Sequence, residues 1–288
     1  MRGSPSSRPR IVSSSSTIEL DAPAKLNLWL EVLGRRPDGY HEIDSFLAEI
    51  DLIDTVRLEA ASEISLTVEG LPAPADDGNL AWRAAAALGV GARIHLVKRI
   101  PSGAGLGGGS SDAAAVLKGV VKLYGLTPSD GHLAEVAASL GADVPFFLHG
   151  GTARCRGIGE RVEPRAGGGG RRFVVVVPDL TMSTAAVYGA LPAGLTGKTE
   201  NANVFIRRYF GEAGPGRAFH FNRLQAAAES LEPRLREVRE KAGALWDTTF
   251  TMSGSGSSYF SESGKGARAL APFEAGGVRS TVYRVTTR

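Results

Sequence analysis

The sequence predicts an α+β protein of two domains. Strand-like and helix-like segments follow one another without the strict strand-helix-strand repeat of a parallel α/β sheet. The 288 residues, 43% of them hydrophobic, can bury one large core or two modest ones, and this length favours two. A tract of glycines at 167–170, flanked by arginines, cannot be the interior of a regular element and so marks a boundary. Residues 1–16 are then a Ser-rich tail, 17–164 a first domain and 171–288 a second.

The first domain starts β-rich. Strands are predicted over 17–20 and 25–32, on either side of Ala22-Pro23, with a turn at RRPDGYH and further strands over 54–59 and 64–68. A helix over 79–88 and a strand over 94–100 come next. A second helix begins near Ser110, with Ala114, Leu117, Val120, Val121 and Tyr124 recurring at helical spacing up to Gly125. Another helix, over 130–140, is stopped by Gly141. GADVPFF reads as a turn that leads to a strand pair around 151–164. In the second domain a buried strand over 173–177 precedes helical patterns near 183–191 and 222–242, a glycine-serine turn at 252–258 and a terminal strand over 280–286. That order suggests a small ferredoxin-like sandwich.

Composition excludes several classes of function. Of 33 basic residues against 30 acidic ones, Arg2, Arg8 and Arg10 lie in the tail, and the remainder is balanced. A nucleic-acid protein depends on a basic surface, so no nucleic-acid partner is expected. No apolar run approaches the roughly 18 residues of a membrane span. The single cysteine, Cys155, cannot form an internal disulfide, fits a reducing compartment and reads as a small buried strand residue. The tail lacks the apolar stretch of a secretory signal. A cytoplasmic protein is therefore expected, with a short plastid transit segment as the alternative. His41, His95, His132, His149 and His220 have no metal-ligand spacing, which argues against zinc. The sequence leaves the oligomeric state open.

The most telling stretch is PSGAGLGGGSSDAA, residues 101–114. Glycines allow positive φ and close approach of backbone to a ligand, and the helix that follows offers unpaired N–H groups and a positive dipole end. Many glycine loops merely turn the chain. Here the order strand, glycine loop, Ser110-Ser111, helix supplies the setting that phosphate binding needs. No lysine follows the last glycine, so this is not a Walker A loop. Gly103, Gly105 and Gly108 match the dinucleotide fingerprint, with Asp130 as its acid. That acid belongs at the end of a second strand, however, and Asp130 opens a helix.

With these residues in place, the chain resembles the GHMP small-molecule kinases. The likeness is carried by APAKLNLWLEVLGRRPDGYHEI, PSGAGLGGGSSDAA, GADVPFFLHGGTARCRGIGE and MSGSGSS, in that order. RPDGYH and GADVPFF single out the branch that phosphorylates a cytidine-diphosphate-linked methylerythritol in the non-mevalonate route to isoprenoids. The resemblance implies a ribosomal-protein-S5-like N-terminal domain and a ferredoxin-like C-terminal one, ATP as donor, Mg²⁺, and the substrate's 2-hydroxyl as acceptor. It implies Asp143 as catalytic base and Lys25 as the cation beside it. ATP binding falls to Asn79, Lys98, Pro101, Gly103, Gly105, Gly107, Gly108, Gly109, Ser110 and Ser111, with Ser110 the position that reaches the metal in some relatives. Asn27 lies near the substrate hydroxyls, His41 hydrogen-bonds the cytosine edge, and Tyr40 and Tyr188 form the two faces of a base clamp. Taken singly, an Asp before Val-Pro is by default a cap or turn residue and a tyrosine a packing residue. Only the ordered motifs override those defaults.

Overall fold

The structure is a computed structural model that describes residues 17–195, 197–212, 219–262 and 270–288. The tail expected over 1–16 lies outside the described residues. The chain opens with a long hairpin, β1 (Ile18–Arg35) and β2 (His41–Ala60), joined by the turn read at RRPDGYH. The two strands expected around Ala22-Pro23 are one: Pro23 lacks an N–H, and the ladder shifts register between Pro23 and Ala24 instead of ending there. The first half of β2 escaped prediction because residues 43–50 are buried on both faces and include Asp44, Ser45 and Glu49, which hides the alternation of a strand.

There follow β3 (Ser65–Gly70), α1 (Leu80–Ala87), β4 (Ala92–Lys98), α2 (Gly108–Tyr124) and α3 (Asp130–Leu140). Asn79 caps α1 by accepting from the Ala81 amide at 2.9 Å, and Gly125, at φ 60°, ends α2 in the left-handed region. The stretch read as a turn at GADVPFF is a short helix, α4 (Val144–His149). Pro145 falls in its first turn, where a missing N–H costs nothing. β5 (Thr152–Gly157) and β6 (Arg161–Arg165) complete this half.

The remainder is β7 (Arg172–Pro178), α5 (Thr184–Gly189), α6 (Thr199–Tyr209), β8 (Phe221–Asn222), α7 (Gln225–Leu231), α8 (Arg234–Trp246), β9 (Thr251–Met252), β10 (Tyr259–Glu262), β11 (Phe273–Ala275) and β12 (Val278–Thr286). The helix expected over 222–242 is two, because Pro233 cannot continue a helical ladder. α6 was not foreseen. Its buried Ala202, Phe205, Ile206 and Tyr209 do keep helical spacing, but Lys198 gives no capping signal at its start.

A seven-stranded sheet has the order β3-β4-β2-β1-β8, with β5 on the other half of β2 and β6 beyond it. A five-stranded sheet has the order β11-β12-β7-β10-β9. Helices α1 to α4 cover one face of the first sheet around Leu58, Ile94, Val116 and Phe146. Between the sheets Trp29, Phe46, Phe173, Phe205 and Phe260 form a second core, and α7 and α8 close a third around Val174, Val176 and Leu235. β7 thus places Phe173, Val175 and Val177 in one core and Val174 and Val176 in another, as period-two alternation requires. The second half of the chain also reaches back into the first sheet, through the parallel pairing of β8 with β1 and the bridge of Thr287 to Ile50.

Two glycines with opposite surroundings test this packing. A Cβ on Gly119 in α2 would strike Leu58 and come within 2.8 Å of Leu20, whereas one on Gly131 in α3 meets nothing within 4 Å. Gly119→Val should therefore cost about 1–3 kcal/mol by overpacking, and Gly131→Ala should add about 0.4–1 kcal/mol by stiffening the unfolded chain. Denaturant midpoints of the two variants should move in opposite directions.

Candidate active site

β1 sends Lys25 and Asn27 to the same side, two residues apart, where they meet the glycine loop. The Lys25 amide donates to the carbonyl of Leu106 at 2.9 Å, so strand and loop are tied main chain to main chain. The Lys25 side chain is 3% exposed; its ammonium donates to Asn27 Oδ1 and lies 3.5 Å from Asp143 Oδ2. Asn27 Nδ2 donates to Ser45 Oγ at 2.9 Å, and that hydroxyl donates to the Trp29 carbonyl at 2.7 Å. Asp143 sits where α3 has ended and α4 begins, with 36% of its side chain exposed to the cleft. A buried cation is thus matched by a carboxylate that a ligand can still reach.

The glycine loop takes positive φ at Gly103, Gly105 and Gly107. Gly107 precedes the first turn of α2, which has no side-chain cap, so the early N–H groups there remain for a ligand. The second glycine-serine turn, to which the sequence alone assigned no role, packs against this loop. Ser253 Oγ accepts from the Asn27 amide at 3.2 Å and donates to the Gly105 carbonyl at 3.0 Å, and the Ser258 amide donates to the Ala104 carbonyl at 3.1 Å. A Cβ on Gly105 would land on the Ser253 carbonyl oxygen, so the two turns can meet only through glycine. A Cβ on Gly107 would lie 3.0 Å from Phe147 and 3.1 Å from Lys25. That glycine serves loop packing beside Lys25.

One cleft of about 1380 Å³ collects Lys25, Asn27, Tyr40, His41, Pro101, Gly103, Gly105, Gly107, Gly108, Gly109, Ser110, Asp143 and Tyr188. Three expected residues do not line it. Asn79 spends its side chain on capping α1 and on the Pro74 carbonyl, and Ser111 is buried in α2. Lys98 lies beneath the loop, paired with Asp54 and, at 2.7 Å, with Asp112. Burial opposes its charge, but Asp112 and Asp54 outweigh burial and hold its pKa above the usual lysine value. Burial pushes Asp112 up to about 7, with Lys98 acting against that and the charge of Asp54 adding to it.

At the far end of the cleft lie Tyr40, His41 and Tyr188. Tyr188, on α5, lies against His41, with ring centres 5.2 Å apart and planes at 31°. Tyr40 is 61% exposed at the turn that Arg36 and Asp38 brace. Tyr40 falls just before the start of β2 at His41, and Tyr188 reaches the His41 ring from α5. Burial, and then the charge of Arg35, lowers the His41 pKa, which favours the neutral ring. Burial raises the Tyr188 phenol, and Asp143 adds to the effect.

Residues 79–151 match the family model of the GHMP kinases N terminal domain. The 4-diphosphocytidyl-2-C-methyl-D-erythritol kinase of Pelotomaculum thermopropionicum is 43% identical over 256 residues, 83% of this chain and 86% of its own. The kinase of the same name from Geobacter sulfurreducens is 41% identical over 253 residues, 84% of this chain and 88% of its own. The chain belongs to the 4-diphosphocytidyl-2-C-methyl-D-erythritol kinase family. A crystal structure of a 4-(cytidine 5'-diphospho)-2C-methyl-D-erythritol kinase, 42% identical, superposes with a TM-score of 0.70 over 84% of this chain and 89% of that one. The GHMP fold extends further: a homoserine kinase from Cytophaga hutchinsonii, only 19% identical, reaches a TM-score of 0.67 over 96% of this chain and 97% of its own. The family thus has a two-domain α+β fold, as the sequence predicted.

The buried triad under the loop yields a pH test. An acid whose pKa is raised on folding binds more protons in the native state, so stability falls as pH rises from its ordinary 3.8 toward about 7. Lys98 titrates well above that window and contributes a constant there. Asp112→Asn removes the decline, so the variant should gain on the wild type between about pH 4 and pH 7 in denaturant midpoint. A difference that stays constant with pH would show Asp112 to be an ordinary carboxylate.

Proposed function

We propose that the chain transfers the γ-phosphoryl group of ATP to the 2-hydroxyl of 4-diphosphocytidyl-2-C-methyl-D-erythritol. The observation that carries this reading is the placement of the Lys25–Asp143 pair in one cleft with a phosphate-type glycine loop and an aromatic pair. The loop and the start of α2 hold the phosphates through backbone N–H groups and the helix dipole. Asp143 meets the acceptor hydroxyl and takes its proton as the oxygen attacks phosphorus and ADP leaves, and Lys25 offsets the charge that develops on that oxygen. Asn27, held by Ser45 and Ser253, keeps the Lys25 ammonium in place.

His41 and Tyr188 form the base-recognising end. Neutral His41 has one N–H and one lone pair to offer a cytosine edge, and Tyr188 offers a face for stacking. Tyr40, exposed at the rim, is free to cover the base from outside. Mg²⁺ would neutralise the phosphate charge of bound ATP. The donors that line the cleft are the hydroxyls of Ser102, Ser110, Thr184 and Ser255 and one carboxylate, Asp143. Among the described residues no cluster of three or more His, Cys, Asp or Glu side chains could hold a metal. This donor set suits an ion carried in on the nucleotide, with most of its ligands from phosphate and water. Lys98, Asn79 and Ser111 then support the nucleotide site from beneath.

The partner is a small molecule, and the balanced charge of the body supports no role with nucleic acid. No helix among the described residues is long and apolar enough to cross a membrane. Burial raises the Cys155 thiol, with Asp143 adding to it, so the one cysteine is inert in place. We place the reaction in the cytoplasm and divide the chain into domains at 17–164 and 171–288, on either side of the glycine tract.

An ADP-release assay that offers the cytidyl-linked substrate beside mevalonate and homoserine tests the reading; turnover of only the last two would assign the chain to another GHMP kinase. Asp143→Asn should lower kcat by at least about 10²-fold with ATP affinity little changed. Tyr188→Ala should lose about 1–3 kcal/mol of stacking, chiefly as a higher KM for the cytidyl substrate. A wild-type enzyme that used free methylerythritol phosphate equally well would remove the base from recognition.

A further inference from the structure

A second cavity, of about 530 Å³, lies outside the cleft and includes Arg154, Arg165, Asn203, Arg207, Phe210 and Glu212 in its wall. Arg154 stands on β5 with a side chain only 9% exposed. Asp44 grips its fork, Nε to Oδ1 at 2.8 Å and Nη2 to Oδ2 at 2.6 Å, and Nη1 donates to Asn203 Oδ1 at 2.9 Å. Of the five N–H donors of a guanidinium, two are left over. Arg165, at the end of β6, and Arg207, on α6, point no cation at a carboxylate: neither has an ion-pair partner among the described residues. The wall therefore carries three arginines against one acid, Glu212, with Asp44 behind.

We propose that this cavity binds the phosphate or diphosphate group of a small metabolite, at a site separate from the nucleotide. Arginine forks match phosphate oxygens in pairs, and one guanidinium already fixed by a buried carboxylate loses little freedom on binding. Ile206 and Phe210 give the same cavity an apolar side for the rest of such a ligand. The site has a short route to the cleft. Asp44, which holds Arg154, is followed on β2 by Ser45, which holds Asn27 beside Lys25. An anion that draws on Arg154 thus acts one residue away from the network that positions the Lys25 ammonium.

Inorganic pyrophosphate is the probe, titrated calorimetrically into protein saturated with a non-hydrolysable ATP analogue so that the glycine loop is occupied. Saturable one-to-one binding is expected, weakened by added salt. The double variant R165A/R207A should weaken it at least about tenfold, since charge-assisted hydrogen bonds are lost, while Arg279→Ala, an exposed arginine of β12, should leave it intact. Both changes are at exposed positions, and unchanged melting temperatures would show that the variants fold. Absence of binding to the wild type at millimolar pyrophosphate, the same affinity in R165A/R207A, or an equal loss in Arg279→Ala would each overturn the proposal. Because Arg165 and Arg207 line this cavity and not the cleft, a loss confined to R165A/R207A reports on this site whichever substrate the cleft accepts.

Discussion

The cleft depends on how one buried lysine is held. An ammonium taken out of water needs charge and hydrogen-bond partners close by, and leaving it unpaired would cost several kcal/mol. Lys25 finds them in Asn27 on its own strand and in Asp143, which is 118 positions later in the chain and arrives there only because α3 ends and α4 begins at that point. Its amide ties the strand to the glycine loop, and Asn27 is tied in turn to β2 and to the turn that precedes β10. Four remote segments therefore meet around Lys25 and Asn27, and the carboxylate that satisfies the lysine is the group left facing solvent.

A second buried lysine does for the loop what the first does for the cleft. A glycine-rich segment has few side chains with which to anchor itself, so its shape must be imposed from outside. Lys98 ends β4 just before the loop and is clamped by Asp54 from β2 and Asp112 from α2, so the strand entering the loop and the helix leaving it share one ion cluster. Asp54 Oδ1 also accepts from the amides of Arg99, at 2.5 Å, and Ile100, at 2.9 Å, which fixes the first residues after the strand. With the Ser253–Gly105 contacts holding the other side, the N–H groups at the start of α2 are preorganised for charge, which is where such groups gain most for catalysis.

The parts of this arrangement legible in sequence are those with local physical causes. Gly125 and Gly141 end helices, Ser129 begins one, and a glycine loop before a helix is suited to phosphate; all of these can be read within a few residues. Lys25 and Asp143 were also legible, but through their motifs, since nothing local distinguishes a buried paired lysine from a solvated one. What was not legible depends on distant partners. Lys98 looks like a cation free to meet phosphate until Asp54 and Asp112 are seen on either side of it. The contact of His41 with Tyr188 joins the start of β2 to α5, 147 positions later in the chain, and no local signal announces it. The unforeseen half of β2 is polar where it carries Asp44, Ser45 and Glu49, residues whose partners lie on other strands and loops.

The two halves of the chain are joined by the same apolar core that underlies the cleft. Leu26 and Leu28 alternate along β1 with Lys25 and Asn27, so the strand's other face is packed on Phe173, Phe205 and Phe260 from the second half. Leu106 and Ala104, within the glycine loop itself, belong to that core as well. Burying the loop's two apolar side chains therefore presses its backbone against Ser253 and Ser258, while the alternation of β1 turns its polar side chains toward the cleft. The hydrophobic energy that joins the halves is thus the same energy that seats the glycine loop. Neither half alone holds a complete site, because the first lacks the glycine-serine turn and Tyr188, and the second lacks Lys25, Asp143 and the loop.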